Sequence, residues 1–194
     1  GVGYFENQAS KYKETALFGE LSVKPTPGST STAGARLFSY KDDTTTQVED
    51  YAFDLVGGVV NAGDKGSRRA YFKLNASFDL TPDLLAYVTF SQGFRKGGAN
   101  GFRNLPGLTP SAAALAYKPD STDNVEFGLK GYFADKKVYF QASVYDIQWK
   151  NTQTYFSQDI SGFPVWGTTN GPDSNSQGVE LKGHYNFVPG WRAE

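Results

Sequence analysis

Cysteine and methionine are both absent from the 194 residues, and histidine occurs once, at His184. Without cysteine there can be no disulfide framework, no thiolate metal site and no cysteine nucleophile. With one histidine as well, a first-row metal centre would have to be built from carboxylates alone, so neither metal nor cofactor is expected. Long apolar runs are missing too. The longest stretches, 55–60 and 84–88, fall far short of the ~20 residues that a spanning helix needs. The chain opens on Gly1-Val2-Gly3, without the basic segment and apolar run of a leader and without an initiator methionine, so a mature chain or an internal piece is expected. An excess of one charge is lacking as well. A net charge of −1 and a pI near 5.9 offer nothing to a polyanion, and nucleic acid is not an expected partner.

What is present is aromatic and glycine-rich: aromatics make up 15%, glycine counts 22, and hydrophobic residues only 39%. That balance favours an all-β chain. Reading for period two gives about seven segments near the ~9–11 residues of a tilted membrane strand. In the clearest, Ala70, Phe72, Leu74, Ala76 and Phe78 alternate with Arg69, Tyr71, Lys73, Asn75, Ser77 and Asp79. Similar alternation runs through Leu17–Val23, Ala33–Leu37, Leu84–Arg95, Val125–Phe133, Val138–Trp149 and Val179–Phe187.

Alternation alone suits a soluble sandwich with one wet face. The connections point elsewhere, because they alternate short (25–29, 80–83, 134–137) and long (41–67, 96–121, 151–175). Structureless loops beyond ~12–15 residues are uncommon in compact soluble domains. Short turns at one rim and long loops at the other are how bacterial outer-membrane barrels are built. Aromatics fit two belts: Phe78, Phe133, Tyr139, Phe187 and Trp191 beside the short turns, and Tyr40, Phe94 and Trp149 toward the long loops. Glu20, Arg36, Lys73, Glu126, Lys130, Glu180 and Lys182 then face a polar lumen, where they could pair across strands. Seven strands do not close a single-chain barrel, and the chain stops just after a turn at Trp191, so the fold class expected is an antiparallel transmembrane β-barrel segment with short periplasmic turns and long extracellular loops.

At 85–100 the sequence reads LAYVTFSQGFRKGGAN, and from Tyr117 it continues YKPDSTDNVEFGLKGYF. These resemble a strand ending in a GFR-type triplet before a GG-x-N loop, and the following x-P-E-x-x-x-N-x-E-x-G-x-K strand, of TonB-dependent outer-membrane receptors. ETALFGELSVKPTPGSTSTAGARLFSY before them, and VYFQASVYDIQWKNTQ and NGPDSNSQGVELKG after them, resemble that barrel's neighbouring hairpins in the same order. The resemblance implies that residues 1–194 form part of one barrel of about 22 strands with a plugged lumen. It also implies a plug domain and a TonB box outside this chain, contact with outer-membrane lipid and lipopolysaccharide of a Gram-negative bacterium, and coupling to TonB through the missing N-terminal region. The implied function is uptake of a small molecule such as a metal–siderophore complex, with no catalysis. A passive porin and a soluble carbohydrate-binding sandwich are the alternatives.

Two loops carry the candidate ligand contacts. The first offers Arg95, Lys96, Asn100, Phe102 and Arg103; the second offers Tyr155, Phe156 and Trp166. Cations with rings suit an anionic ligand with planar groups, although loops of this composition also serve simply to shield a rim. Other motifs have plainer readings. GFRKGG lacks the GK[ST] ending of a phosphate loop and opens no helix. Asp42-Asp43 and 120–123 lack calcium-loop spacing, no serine sits in a nucleophile elbow, and the acceptor pattern at Asn75 lies mid-strand.

Overall fold

The computed structural model describes residues 4–50, 59–100, 116–160, 163–188 and 191–193, and every element among them is a strand. β1 (Tyr4–Val23), β2 (Ser29–Asp50), β3 (Val59–Thr81), β4 (Leu84–Arg95), β7 (Asp120–Phe133), β8 (Val138–Lys150), β11 (Ser174–Val188) and the short β12 (Trp191–Ala193) form one antiparallel sheet in that order. Two small ladders lie apart from it. They pair β5 (Gly98–Ala99) with β6 (Ala116–Tyr117), and β9 (Gln153–Ile160) with β10 (Phe163–Asn170). The sheet thus has seven long strands, as expected, with three residues of an eighth.

Its polarity is inverted relative to a soluble sandwich. One face carries Leu17, Leu21, Leu37, Phe72, Leu74, Phe127, Val144, Val179 and Leu181, and all of them are exposed. Leu181 keeps 80% of its surface, whereas Ser143, on the opposite face, keeps 4%. The register explains why these side chains align. Leu17 lies opposite Leu37, Leu74 lies between Ala33 and Phe90, and Leu129 pairs Ala142, which pairs Leu181. An unbroken apolar band facing outward is stable only against lipid. At its outer edge the same face turns polar through Ser39, Gln92, Asp123 and Asp146, and Gln92 donates to Asp123 at 2.8 Å.

The inner face holds the expected charges. Lys73 lies 3.7 Å from Glu20, Arg36 pairs Glu14, and Tyr87 donates to Glu126 at 2.5 Å. Two tyrosines there lie opposite glycines: Tyr87 across from Gly128, and Tyr145 across from Gly178. A Cβ on Gly128 would stand 2.4 Å from the Tyr87 ring, and one on Gly178 would stand 2.5 Å from the Tyr145 hydroxyl. Each ring therefore lies along the wall, over the neighbouring strand.

Four expectations need correction. The supposed loop 41–67 is largely ladder: β2 and β3 stay paired from Tyr40–Gly66 to Gln47–Val59, past a bulge that gives β3 one extra residue. The run Thr44-Thr45-Thr46-Gln47-Val48 is β-branched at every position but Gln47, and the inward alternates of this part of β2, Asp42, Thr44 and Thr46, are buried. The loop 151–175 is likewise mostly hairpin. The outer aromatic belt is not a lipid-facing girdle. Tyr40 and Phe94 stack at 5.7 Å within an inner cluster with Tyr12, Phe38 and Tyr71, because β4 parts from β3 above the Lys73–Ser91 pair and leans inward. Tyr139 also faces inward, stacked on His184, while Phe78, Phe133, Phe187 and Trp191 sit exposed near the short turns as expected.

The short turns follow local chemistry. In Thr26-Pro27-Gly28-Ser29, Pro27 pre-sets one dihedral and Gly28 takes φ 76°, giving a type II turn closed by Ser29 N–H donating to Thr26. The turn before β8 is strained: Ala134, Asp135 and Lys136 all have positive φ without a glycine among them. Lys136→Gly therefore raises the stability of the intact barrel by about 1 kcal/mol. Denaturant unfolding in lipid vesicles checks this, and an unchanged or lower midpoint contradicts it.

Candidate functional site

The outer ends of the strands converge on two buried carboxylates. Asp120 opens β7 with 2% of its side chain exposed. It receives Arg95 through two nitrogens at 2.6 and 3.3 Å, Trp149 Nε1 at 2.9 Å and the Gln153 backbone N–H at 3.2 Å. Arg95 also lies over the Trp149 ring, 5.3 Å from its centre. Asp42, equally buried, receives Lys96 at 2.9 Å, Ser10 at 2.9 Å and Thr44 at 3.1 Å. Burial pushes both carboxyls up, but their hydrogen bonds and the neighbouring cation outweigh it and hold each below the ordinary carboxylate value.

These bonds draw the chain after β4 inward. Lys96 reaches Asp42 of β2 and the Ala99 carbonyl accepts from Gln8 of β1, over the inner faces where Tyr40, Thr44 and Thr46 are buried. The β9–β10 hairpin leans on the same segment. Asn100 donates to the Thr168 carbonyl at 2.6 Å and accepts from its N–H at 3.0 Å.

The structure therefore sorts the expected contact residues into two kinds. Arg95, Lys96 and Asn100 are brought together, but each is engaged by protein: Arg95 by Asp120, Lys96 by Asp42, Asn100 by Thr168. Tyr155 and Trp166 stand outward with 86% and 66% of their surface exposed, while Phe156 is half-buried. Pairing of Tyr155 with Thr168 and of Ser157 with Trp166 puts both exposed rings on one face, diagonal to each other. Phe102 and Arg103 lie outside the described residues. Sequence reasoning missed Asp120, Gln153 and Asn170. Asp120 stands directly opposite Arg95, a pairing visible only once the strand is known to begin four residues before Asn124.

The geometry is that of a barrel wall with a built-up outer rim, and comparison with known proteins agrees. A family model described as TonB dependent receptor-like, beta-barrel, matches residues 2–193. The pesticin receptor of Yersinia enterocolitica is 27% identical over 196 residues, covering 89% of this chain and 27% of the receptor; that of Yersinia pestis gives the same figures. Among solved structures, the ferric yersiniabactin uptake receptor FyuA from Yersinia pestis aligns with a TM-score of 0.72 at 20% identity, covering 97% of this chain and 26% of that one. The ferric-catecholate import receptor Fiu from Escherichia coli K12 gives 0.66 at 16%, covering 94% and 26%. The chain thus spans about a quarter of the length of these relatives, and it belongs to the TonB-dependent receptor β-barrel family of the Gram-negative outer membrane.

Proposed function

We propose that this wall belongs to an importer driven by TonB, which captures a chelated metal of the iron–siderophore kind at its outer mouth. The observation that carries the reading is the pair of exposed rings, Tyr155 and Trp166, on one face of a hairpin braced against the rim. Flat rings held on a rigid support offer contact area at low entropic cost. Lipid and lipopolysaccharide surround the apolar band, and TonB engages a region N-terminal to the barrel. The uptake and import receptors among the structural neighbours support import over a passive pore. One neighbour is a copper transporter, at a TM-score of 0.68, 18% identity and coverage of 94% of this chain and 28% of that one, so the free ion belongs in the test.

In the intact receptor, Tyr155→Ala and Trp166→Ala each weaken capture about tenfold, the loss of one aromatic anchor. The probes are iron(III) complexes of a catecholate, a phenolate and a hydroxamate chelator, with copper(II) alone as the fourth, bound to whole cells. A double variant that inserts normally and binds every probe as its parent does would refute the reading.

A further inference from the structure

Asparagine side chains copy the backbone twice at the outer rim. Asn100 meets the N–H and the carbonyl of Thr168, the two groups that a neighbouring strand would meet. Asn170 does the same to Lys118, accepting from its N–H at 2.6 Å and donating to its carbonyl at 3.0 Å. It donates also to Asn151 at 2.8 Å. Gln153, the cross-strand partner of Asn170, donates to the Lys96 and Lys118 carbonyls at 2.8 and 3.1 Å. Three carboxamides thus join both necks of the β4–β7 connection, 96–100 and 116–118, to the base of the β9–β10 hairpin. Thr168, which Asn100 holds, is the cross-strand partner of Tyr155 and lies two residues from Trp166.

We propose that Asn100, Asn170 and Gln153 are positioning residues that weld both necks of the β4–β7 connection and the base of the β9–β10 hairpin into one ligand-presenting body. This rests on the reading of Tyr155 and Trp166 as contacts. The site is then composite. The face bearing the two rings is the face whose base, Gln153 and Asn170, is stitched to the other connection, so neither connection holds the rings in place alone. Each bond within the weld is a neutral amide pairing, so it carries no charge for salt to screen and no group that titrates between pH 5 and 8.

The test uses the intact receptor in outer-membrane vesicles. Asn100→Leu removes both bonds to Thr168. Asn100→Asp, of the same size, keeps the acceptor but sets a carboxylate against the Thr168 carbonyl, and it serves should the leucine variant fail to insert. Hydrogen exchange at the Thr168 and Lys118 amides is read beside binding of the iron(III) complexes and copper(II) used above. In the leucine variant, exchange should accelerate at least tenfold at Thr168 and also at Lys118, which Asn100 does not touch. In the aspartate variant, whose carboxylate still accepts from the Thr168 N–H, the acceleration is read at Lys118. In both, the best-bound probe should weaken about tenfold, through faster release. Parental exchange at Lys118 with accelerated exchange at Thr168 overturns the single body. Accelerated exchange at both with unchanged affinity overturns positioning, and weakened affinity with parental exchange makes Asn100 a ligand contact instead. Should no probe bind the parent, the proposed function falls, and the exchange at Lys118 still decides the weld.

Discussion

Leu74→Arg in the intact receptor should cost the barrel about 2–4 kcal/mol, because the side chain stands on the lipid face near the middle of the apolar band. Leu74 is exposed between Ala33 and Phe90, with Phe72 above and Phe78 below on the same face. An arginine there must sit in hydrocarbon or bend the wall to reach headgroups. One residue along, Asn75 faces the lumen and donates to Thr89 at 2.8 Å. Asn75→Arg forfeits that bond, about 1 kcal/mol, and its charge finds Glu20 or water. Denaturant unfolding in vesicles separates the two. Equal costs would reject this register, and reversed costs would mean that the strand's faces had been exchanged, since a slip of one residue moves every side chain to the other side.

Asp120→Ala is the second large effect, and it falls on the rim rather than the wall. The carboxylate is buried and serves Arg95, Trp149 Nε1 and the Gln153 N–H together. Without it, two neutral donors lose their acceptor and a cation loses its partner, for a local cost of about 2–4 kcal/mol. The β9–β10 hairpin then opens without the barrel unfolding, which proteolysis within 153–170 reports; an uncut hairpin contradicts the assignment. The pH dependence follows in sign. Asp120 and Asp42 are held below their unfolded value of roughly 3.9, so their contribution is complete above that pH and is lost as pH falls through the lowered folded value. Trp149 fluorescence should stay constant from about pH 8 to 5 and change only below about 4. A transition near neutrality would place control elsewhere.

The wall was legible because its physics is local to each strand. Alternation in 69–79 and 125–133 assigned the lipid and lumen faces of Phe72, Leu74, Lys73 and Asn75, and the short gaps between alternating runs located 25–29 and 134–137. The rim was not legible in the same way. Asp42, Thr44 and Thr46 repeat with period two, yet they are polar, and their burial depends on Lys96 and Ala99 arriving from more than fifty residues away. Arg95 and Lys96 looked like cations waiting for a ligand, because the carboxylates that engage them, Asp120 and Asp42, come from different strands. Composition singled out Tyr155 and Trp166 as candidates, since large rings among polar residues stand out whatever the fold, and both are exposed in the structure.

The tyrosines laid over Gly128 and Gly178 bear on the clearance inside the barrel. A ring standing inward would narrow the bore by its own length, whereas a ring lying on its neighbour's backbone takes up only its thickness. Tyr87 is fixed in that posture by Glu126 and Gln141, on the two strands beyond its own. Any side chain at Gly128 would lever the ring up into the passage. The glycine is thus what keeps this sector of the wall low, so the lumen is lined there by the faces of rings rather than by their edges.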